Sequence, residues 1–444
     1  MSKTQQTNIR YFSKRLFSLQ LEIAIPFGVA KVPYPMTQAL QLRLIKVLLS
    51  LLIGICLPGP VSCLAETPMV ETRGLWVECE GSQDTLSTKA KIDQLIQRAR
   101  RYGFNTLYVQ VYRHDRAWYN SRYADTAPYR DIVKREKIDP LAYLIQQAHQ
   151  AGLKVHAWLN CFRIGKDRRA PILRRFGDDI ITRDGKGVSL LKYKTSDLPD
   201  GGYWLDPGDK NVILYLRNII AEVARKYTGL DGIHLDYARY PFNSPYAGSR
   251  WANRNDLGYG KESVRRFKEW TGVDPLTMKL TRSNCQAWDN CRRHQLNSFI
   301  EGAYGLVRQI NPSLDFSIAV IAWADRAYLS SFQDWRRWLD EGSVYYVAIM
   351  NYGTDSRMAR YLTGTAIAAR GERQVFIGLG QYLLGTKPEA LLQQIADCRQ
   401  AGADGIVLFS YDSICKNPDV LKIIKENAFQ KPAGIPEMEW KKRD

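Results

Sequence analysis

Residues 226–238 read KYTGLDGIHLDYA, and the fold is decided in this stretch. A helical segment runs out at Lys226-Tyr227, Gly229 stops it, and GIHLDYA (232–238) follows as a mostly apolar run of strand-forming residues. The same join recurs as RRYGFN (100–105), HQAGLK (149–154) and RQAGADG (399–405). Each places a glycine at a helix C-terminus immediately ahead of a strand, the signature of an αβ loop. Working outward, the strand candidates are 73–78, 105–112, 154–160, 232–238, 314–322, 345–352, 374–382 and 405–413. Amphipathic segments at Thr88–Arg101, Pro140–Gln150, Lys210–Tyr227 and Pro388–Gln400 separate several of them. Eight βα units predict a closed (β/α)8 TIM barrel. A doubly wound sheet is disfavoured, because Glu78-Cys79-Glu80-Gly81-Ser82 after the first strand is not a glycine-rich phosphate turn. The long loops after strands 3 (Cys161 to Tyr203) and 4 (Tyr240 to about Asn284) would lie on the C-terminal face of the barrel and shape a groove there.

The chain has 444 residues, 45% hydrophobic, 24% charged and 11% aromatic, values that exclude disordered, collagen-like and polytopic membrane proteins. Its formal net charge is +18, of which residues 1–65, with seven Lys/Arg and the single acid Glu22, carry a third. Arg43 and Lys46, an apolar run at 47–57, a Pro/Gly break and then Cys63-Leu64-Ala65 read as a secretory signal peptide. The run is too short for the roughly 20 residues that span a bilayer. Met36, just upstream, would give a signal of ordinary length. Three regions are expected: a leader at 1–65, a barrel at 66–416, and a C-terminal helix with a frayed basic tail at 417–444. The expected location is the periplasm or cell envelope, with acylation of Cys63 and peripheral membrane association as an alternative. Export permits disulfides, and Cys285 with Cys291 is the pair expected to bridge.

Polar side chains at strand C-termini are the candidates for chemistry. Strand 4 places His234 and Asp236 on one face, strand 3 places Trp158 and Asn160 together, and strand 2 ends at Gln110 with Arg113 beyond it. Glu78, Trp323, Asp325, Asn351, Tyr352, Gln381, Tyr411, Asp412 and, past strand 4, Arg239 complete the rim. Aromatic rings stack on sugar CH faces while amides and carboxylates bond hydroxyls, so this mixture points to glycan. Glycosidic cleavage needs two carboxyl groups. Asp236 is the first candidate, with Glu78, Asp325 or Asp412 as its partner. The structural alternative for Asp236 is an aspartate satisfied by its neighbours. A metal site at His156, His234 and Asp236 lacks the usual ligand spacing, so neither a metal nor a cofactor is expected. Asp206 in WLDPGD is read as the cap of a helix starting near Pro207.

The stretches RGLWVE (73–78), FNTLYVQVYRHDRAWYNS (104–121), DPLAYLIQQAHQAGLKVHAWLN (139–160), WLDPGDKNVILYLRNIIAEVARKYTGLDGIHLDYARYP (204–241) and VAIMNYG (347–353) together resemble the bacterial glycosyl-hydrolase-like family ten. The resemblance runs from Arg73 to Ser413. It implies a TIM barrel in the cell envelope acting on a polysaccharide, with peptidoglycan strands stripped of stem peptides the substrate in one branch. It places the strand 4 acid at Asp236, a strand 2 element at Gln110-Val111-Tyr112-Arg113 and a W-x-N element at Trp158-Leu159-Asn160. Some relatives carry a second acid where this chain has Tyr237, which leaves the partner carboxylate open. The expected activity is O-glycosyl hydrolysis, and the rival is a non-catalytic glycan-binding protein on the same scaffold. A nucleic-acid partner is not expected, because the basic clusters at 163–175 and 134–137 lack a recognition motif.

Overall fold

The computed structural model describes residues 69–243, 254–385 and 387–442. The apolar run at 47–57, Met36 and Cys63 lie outside them.

Eight parallel strands close into a barrel: β1 (Thr72–Val77), β2 (Thr106–Arg113), β3 (Lys154–Asn160), β4 (Gly232–Asp236), β5 (Asp315–Ile321), β6 (Tyr346–Asn351), β7 (Gln374–Gly380) and β8 (Gly405–Phe409). Each pairs with its sequence neighbours, and β1 also pairs with β8 through Thr72↔Gly405 to Trp76↔Phe409. All eight strands expected from the sequence are present, although β4, β7 and β8 stop two or more residues earlier than predicted. At β4 the reason is Tyr237, whose φ of 48° turns the chain out of extended geometry. The helices used below are α1 (Lys89–Arg101), α2 (Pro140–Gln150), α3 (Lys210–Lys226), α4 (Lys261–Thr271), α5 (Arg282–Ile310), α6 (Ser356–Ala368), α7 (Pro388–Gln400) and α8 (Pro418–Asn427). Thr88 caps α1 and Asp139 caps α2, each accepting from a backbone N–H of the first turn.

Strand alternation separates two cores. Outward residues such as Leu75, Leu107, Val155, Leu235 and Ile318 pack under the helices in the main apolar cluster. Inward residues form a second, aromatic cluster that includes Trp76, Tyr108, Trp158, Tyr346 and Phe376. Glycine makes room for the large rings at two points. A Cβ at Gly232 would come within 2.2 Å of His156 Nδ1, and one at Gly378 within 2.6 Å of Trp76.

The loop after β3 returns to the barrel mouth through an antiparallel pair, Arg163–Gly165 with Tyr203–Trp204. The loop after β4 carries α4 and builds its own small core from Tyr259, Phe267, Met278, Cys285 and Trp288. A buried ion pair, Arg292 to Asp256 at 3.1 Å, ties this loop to α5.

Three expectations are corrected. Asp206 does not cap a helix: α3 begins three residues later than expected, and Asp209 caps it through the N–H groups of Asn211 and Val212. Cys285 and Cys291 are not bridged, because both lie on α5 and six helical positions separate them by about 9 Å along the axis and place them on different faces. The tail beyond α8 is packed rather than frayed. It crosses the N-terminal mouth of the barrel, where Arg373 stacks 3.5 Å from the centre of the buried Trp440 ring and Lys441 Nζ bonds Asp315 Oδ1 at 3.0 Å.

Candidate active site

The C-terminal ends of the strands surround a cavity of about 160 Å³. Glu78 from β1's end, Gln110 and Arg113 from β2, Trp158 and Asn160 from β3, and Asp236 from β4 all line it. Trp76, Met350, Tyr352 and Phe409 supply apolar wall, and Arg163, Tyr237 and Arg239 come from the loops.

Asp236 is almost fully buried, and burial pushes its carboxyl above the usual range. The Tyr237 backbone N–H, 2.6 Å from Oδ1, opposes that push, as do Arg239, Trp158 and Arg113. Tyr237 thus does two things where β4 ends: its left-handed backbone turns the chain away, and its N–H bonds the preceding carboxylate. Glu78 is also raised, first by burial and further by the negative charge of Asp412. Ser410 Oγ donates to Glu78 Oε2 at 2.9 Å, and Arg113 lies 3.7 Å from Oε1. Arg113 also donates to Gln110 Oε1 at 3.3 Å, and Gln110 Nε2 donates to Asn160 Oδ1 at 3.2 Å. Charge and amide thus form one connected row from Glu78 to Asn160.

Arg239 is fixed by Asp200 Oδ2 at 3.1 Å and the Tyr240 carbonyl at 3.1 Å, with its guanidinium over the rings of Trp204 and Tyr237. Arg163 bonds His114 Nε2 at 2.7 Å and the Asp200 carbonyl at 2.9 Å. Burial lowers the His114 pKa, so a neutral imidazole can accept from Arg163. Three guanidiniums therefore reach a cavity with two carboxyl groups, a balance suited to a substrate that itself carries negative charge.

Several predicted residues lie elsewhere. Asp325 is 72% exposed on the short helix Ala324–Ser330 and pairs with Arg336. Trp323 is exposed just before it. Asn351 points the opposite way from Tyr352, donating to the Ala359 carbonyl and Thr363 Oγ1 on α6, because adjacent strand residues face opposite sides. The Tyr411 hydroxyl accepts from Arg98 on α1, on the outside of the barrel. Gln381 is buried in the turn after β7 and is not among the cavity residues. Asp412 accepts from Ser82 Oγ and the Gln83 N–H, holding the loop after β1. His234 sits one layer below the cavity, and both of its ring nitrogens are engaged: Trp76 Nε1–H donates to Nε2 at 3.1 Å, and Nδ1 meets Ser317 Oγ at 2.9 Å. That pairing fixes the proton on Nδ1 and leaves no lone pair for a metal. Trp76, Arg163, Tyr237, Ala319, Met350 and Phe409 line the cavity but are not among the site residues expected from the sequence. Met350 shares Tyr352's strand parity, a signal available in the sequence, whereas Arg163 arrives by loop pairing.

A closed parallel barrel whose C-terminal mouth gathers buried carboxyl groups, amides and aromatic rings defines a TIM-barrel protein of the glycoside hydrolase type. Residues 71–377 match the family described as Glycosyl hydrolase-like 10, and the chain belongs to that family. Curated relatives agree: the chain is 24% identical to Glycosyl hydrolase YngK of Bacillus subtilis, covering 90% of this chain and 80% of that one. It is also 24% identical to Glycosyl hydrolase DigH of Escherichia coli, over 68% of each. Among solved structures, the glycoside hydrolase domain of PgaB from Bordetella bronchiseptica shares the fold with a TM-score of 0.58 at 16% identity, covering 80% of this chain and 99% of that one. The β-amylase catalytic domain from Paenibacillus polymyxa does so at 0.56 and 12%, covering 81% and 99%.

Proposed function

We propose that the protein hydrolyses glycosidic bonds in a polysaccharide of the cell envelope, peptidoglycan glycan strands foremost, with Asp236 and Glu78 as its carboxyl pair. The observation that carries this reading is the shared cavity: the two carboxyl groups line one small space, and burial raises both. Glu78 is the proton donor, because its raised pKa is reinforced by Asp412 and a carboxyl must hold its proton to protonate the leaving oxygen. Asp236, held by a backbone N–H and facing Arg239 and Arg113, is the carboxylate that stabilises or attacks the developing positive sugar, or activates water. Gln110 and Asn160 bind sugar hydroxyls, and Trp158 and Tyr352 offer ring faces. Removing stem peptides from peptidoglycan frees a carboxylate on every second sugar, and Arg113, Arg163 and Arg239 would complement it.

The chain acts outside the cytoplasm in this reading, exported by the leader that ends near Ala65. The test is purified protein lacking residues 1–65, incubated with intact and amidase-stripped peptidoglycan, with new chain ends read by product mass. New reducing ends on stripped strands support the proposal. Binding without cleavage would favour the glycan-binding alternative and overturn it.

A further inference from the structure

On the outside of the barrel, away from the catalytic cavity, α3, α4 and α5 frame two adjoining cavities of about 650 and 540 Å³ that share Arg266, His294 and Gln295. None of their lining residues lines the catalytic cavity. Five Lys/Arg face this groove against one carboxylate, Asp334. Among the described residues, Lys210, Arg217 and Arg266 close no salt bridge, although Glu262 on α4 lies near enough to interact with Lys210 and Arg266. Trp270, at the end of α4, is 78% exposed beside the groove, and Leu214 of α3 is 58% exposed along it. A bare indole at that exposure contributes almost nothing to the core. Asn290 adds an exposed amide to the same wall, whereas Gln295 and Asn297 are buried and bonded to Tyr240 and Trp338.

We infer that this groove is a second, non-catalytic binding site for a carboxylate-bearing polysaccharide. The indole face stacks on sugar CH groups, the Asn290 amide bonds a hydroxyl, and the cations meet the carboxylates. A polyphosphate would satisfy the cations but leave the apolar wall and the indole unused. An acidic peptide would use the apolar wall but has no planar saturated ring to lie on the indole. Two cavities end to end offer length for several sugar units, so a polymer held here stays close to the enzyme between turnovers, which raises its effective concentration.

The test uses the protein without residues 1–65 carrying Asp236→Asn, so that no probe is cleaved, and measures retention on immobilised polygalacturonate, dextran and poly(glycerol phosphate). The expected result is salt-sensitive retention on polygalacturonate only. Trp270→Ala and Arg266→Gln should each weaken it by about tenfold, while in the Asp236 parent the same changes leave turnover of a short soluble oligosaccharide unaltered. Retention that persists in both variants, equal retention on dextran, preference for the phosphate polymer, or capture of an acidic peptide in its place would overturn the inference. It does not depend on the catalytic reading, since binding is measured on a protein whose proposed catalytic carboxylate, Asp236, has been replaced.

Discussion

The two ends of the barrel hold cavities of opposite character. The C-terminal one is small, about 160 Å³, and crowded with carboxyl and guanidinium groups. The N-terminal one is larger, about 400 Å³, and is crossed by residues 435–441 of the tail. Its polar groups are mostly satisfied by one another: Tyr346 bonds both Tyr108 and His156, and Lys441 meets Asp315. Burial drives the His156 pKa down to about 3, so the ring is neutral, while the two carboxyl groups at the other end are driven up. The same desolvation acts at both ends, and what differs is the lining: two raised carboxyl groups among three guanidiniums at one end, a neutral imidazole beneath the tail at the other. Size does not mark the site; the lining does.

That contrast can be broken by experiment, beginning where the effect should be largest. Asp236→Asn should lower the rate of glycan cleavage by about a thousandfold or more, with a melting temperature close to the parent's; retained turnover would erase the functional distinction between the ends. Trp440→Ala should do the reverse, costing about 3–5 kcal/mol of stability by denaturant titration, as expected for a buried indole, with kcat unchanged in the folded fraction. His234→Leu probes the layer between. It strands the Trp76 N–H in the core, for a loss of about 1–3 kcal/mol, and frees the ring that lines the catalytic cavity, so kcat should also fall. Lowering the pH should destabilise the lower end: unfolded His156 takes up a proton near its ordinary value of 6.5, whereas the folded ring resists until about 3. Stability present above pH 6.5 is therefore lost as pH falls through that window, and His156→Gln should flatten the loss. Asp325→Asn, on an exposed carboxylate, should change stability by less than about 0.5 kcal/mol and leave activity alone.

The fold was readable because parallel strands buried on both faces are near-continuous apolar runs, and glycine punctuates several of the approaches to them. Strand parity then carried Glu78, Gln110, Trp158, Asn160 and Asp236 to one mouth. Parity stops being informative where the backbone leaves the strand. Asn351 bonds the body of α6 rather than a ligand, and Tyr411 and Asp325 belong to helices that begin after their strands have ended. Arg163 escaped prediction because its place depends on pairing with Tyr203–Trp204, a contact made across the whole loop after β3. The cap at Asp209 was misplaced by three residues since Asp206 and Asp209 offer the same side chain, and only the fold reveals that Ser263 occupies Asp206.

The seam between β1 and β8, with the tail beneath it, bears on how the chain is made. A nascent protein synthesised as far as Gly380 holds seven strands of an unfinished ring. One flank of β1 and one flank of β7 remain without their final neighbour until Gly405–Phe409 has emerged. Strand edges of that kind recruit other chains. Closing the seam removes both exposed edges in one step, so the eighth strand ends the chain's exposure to such pairing.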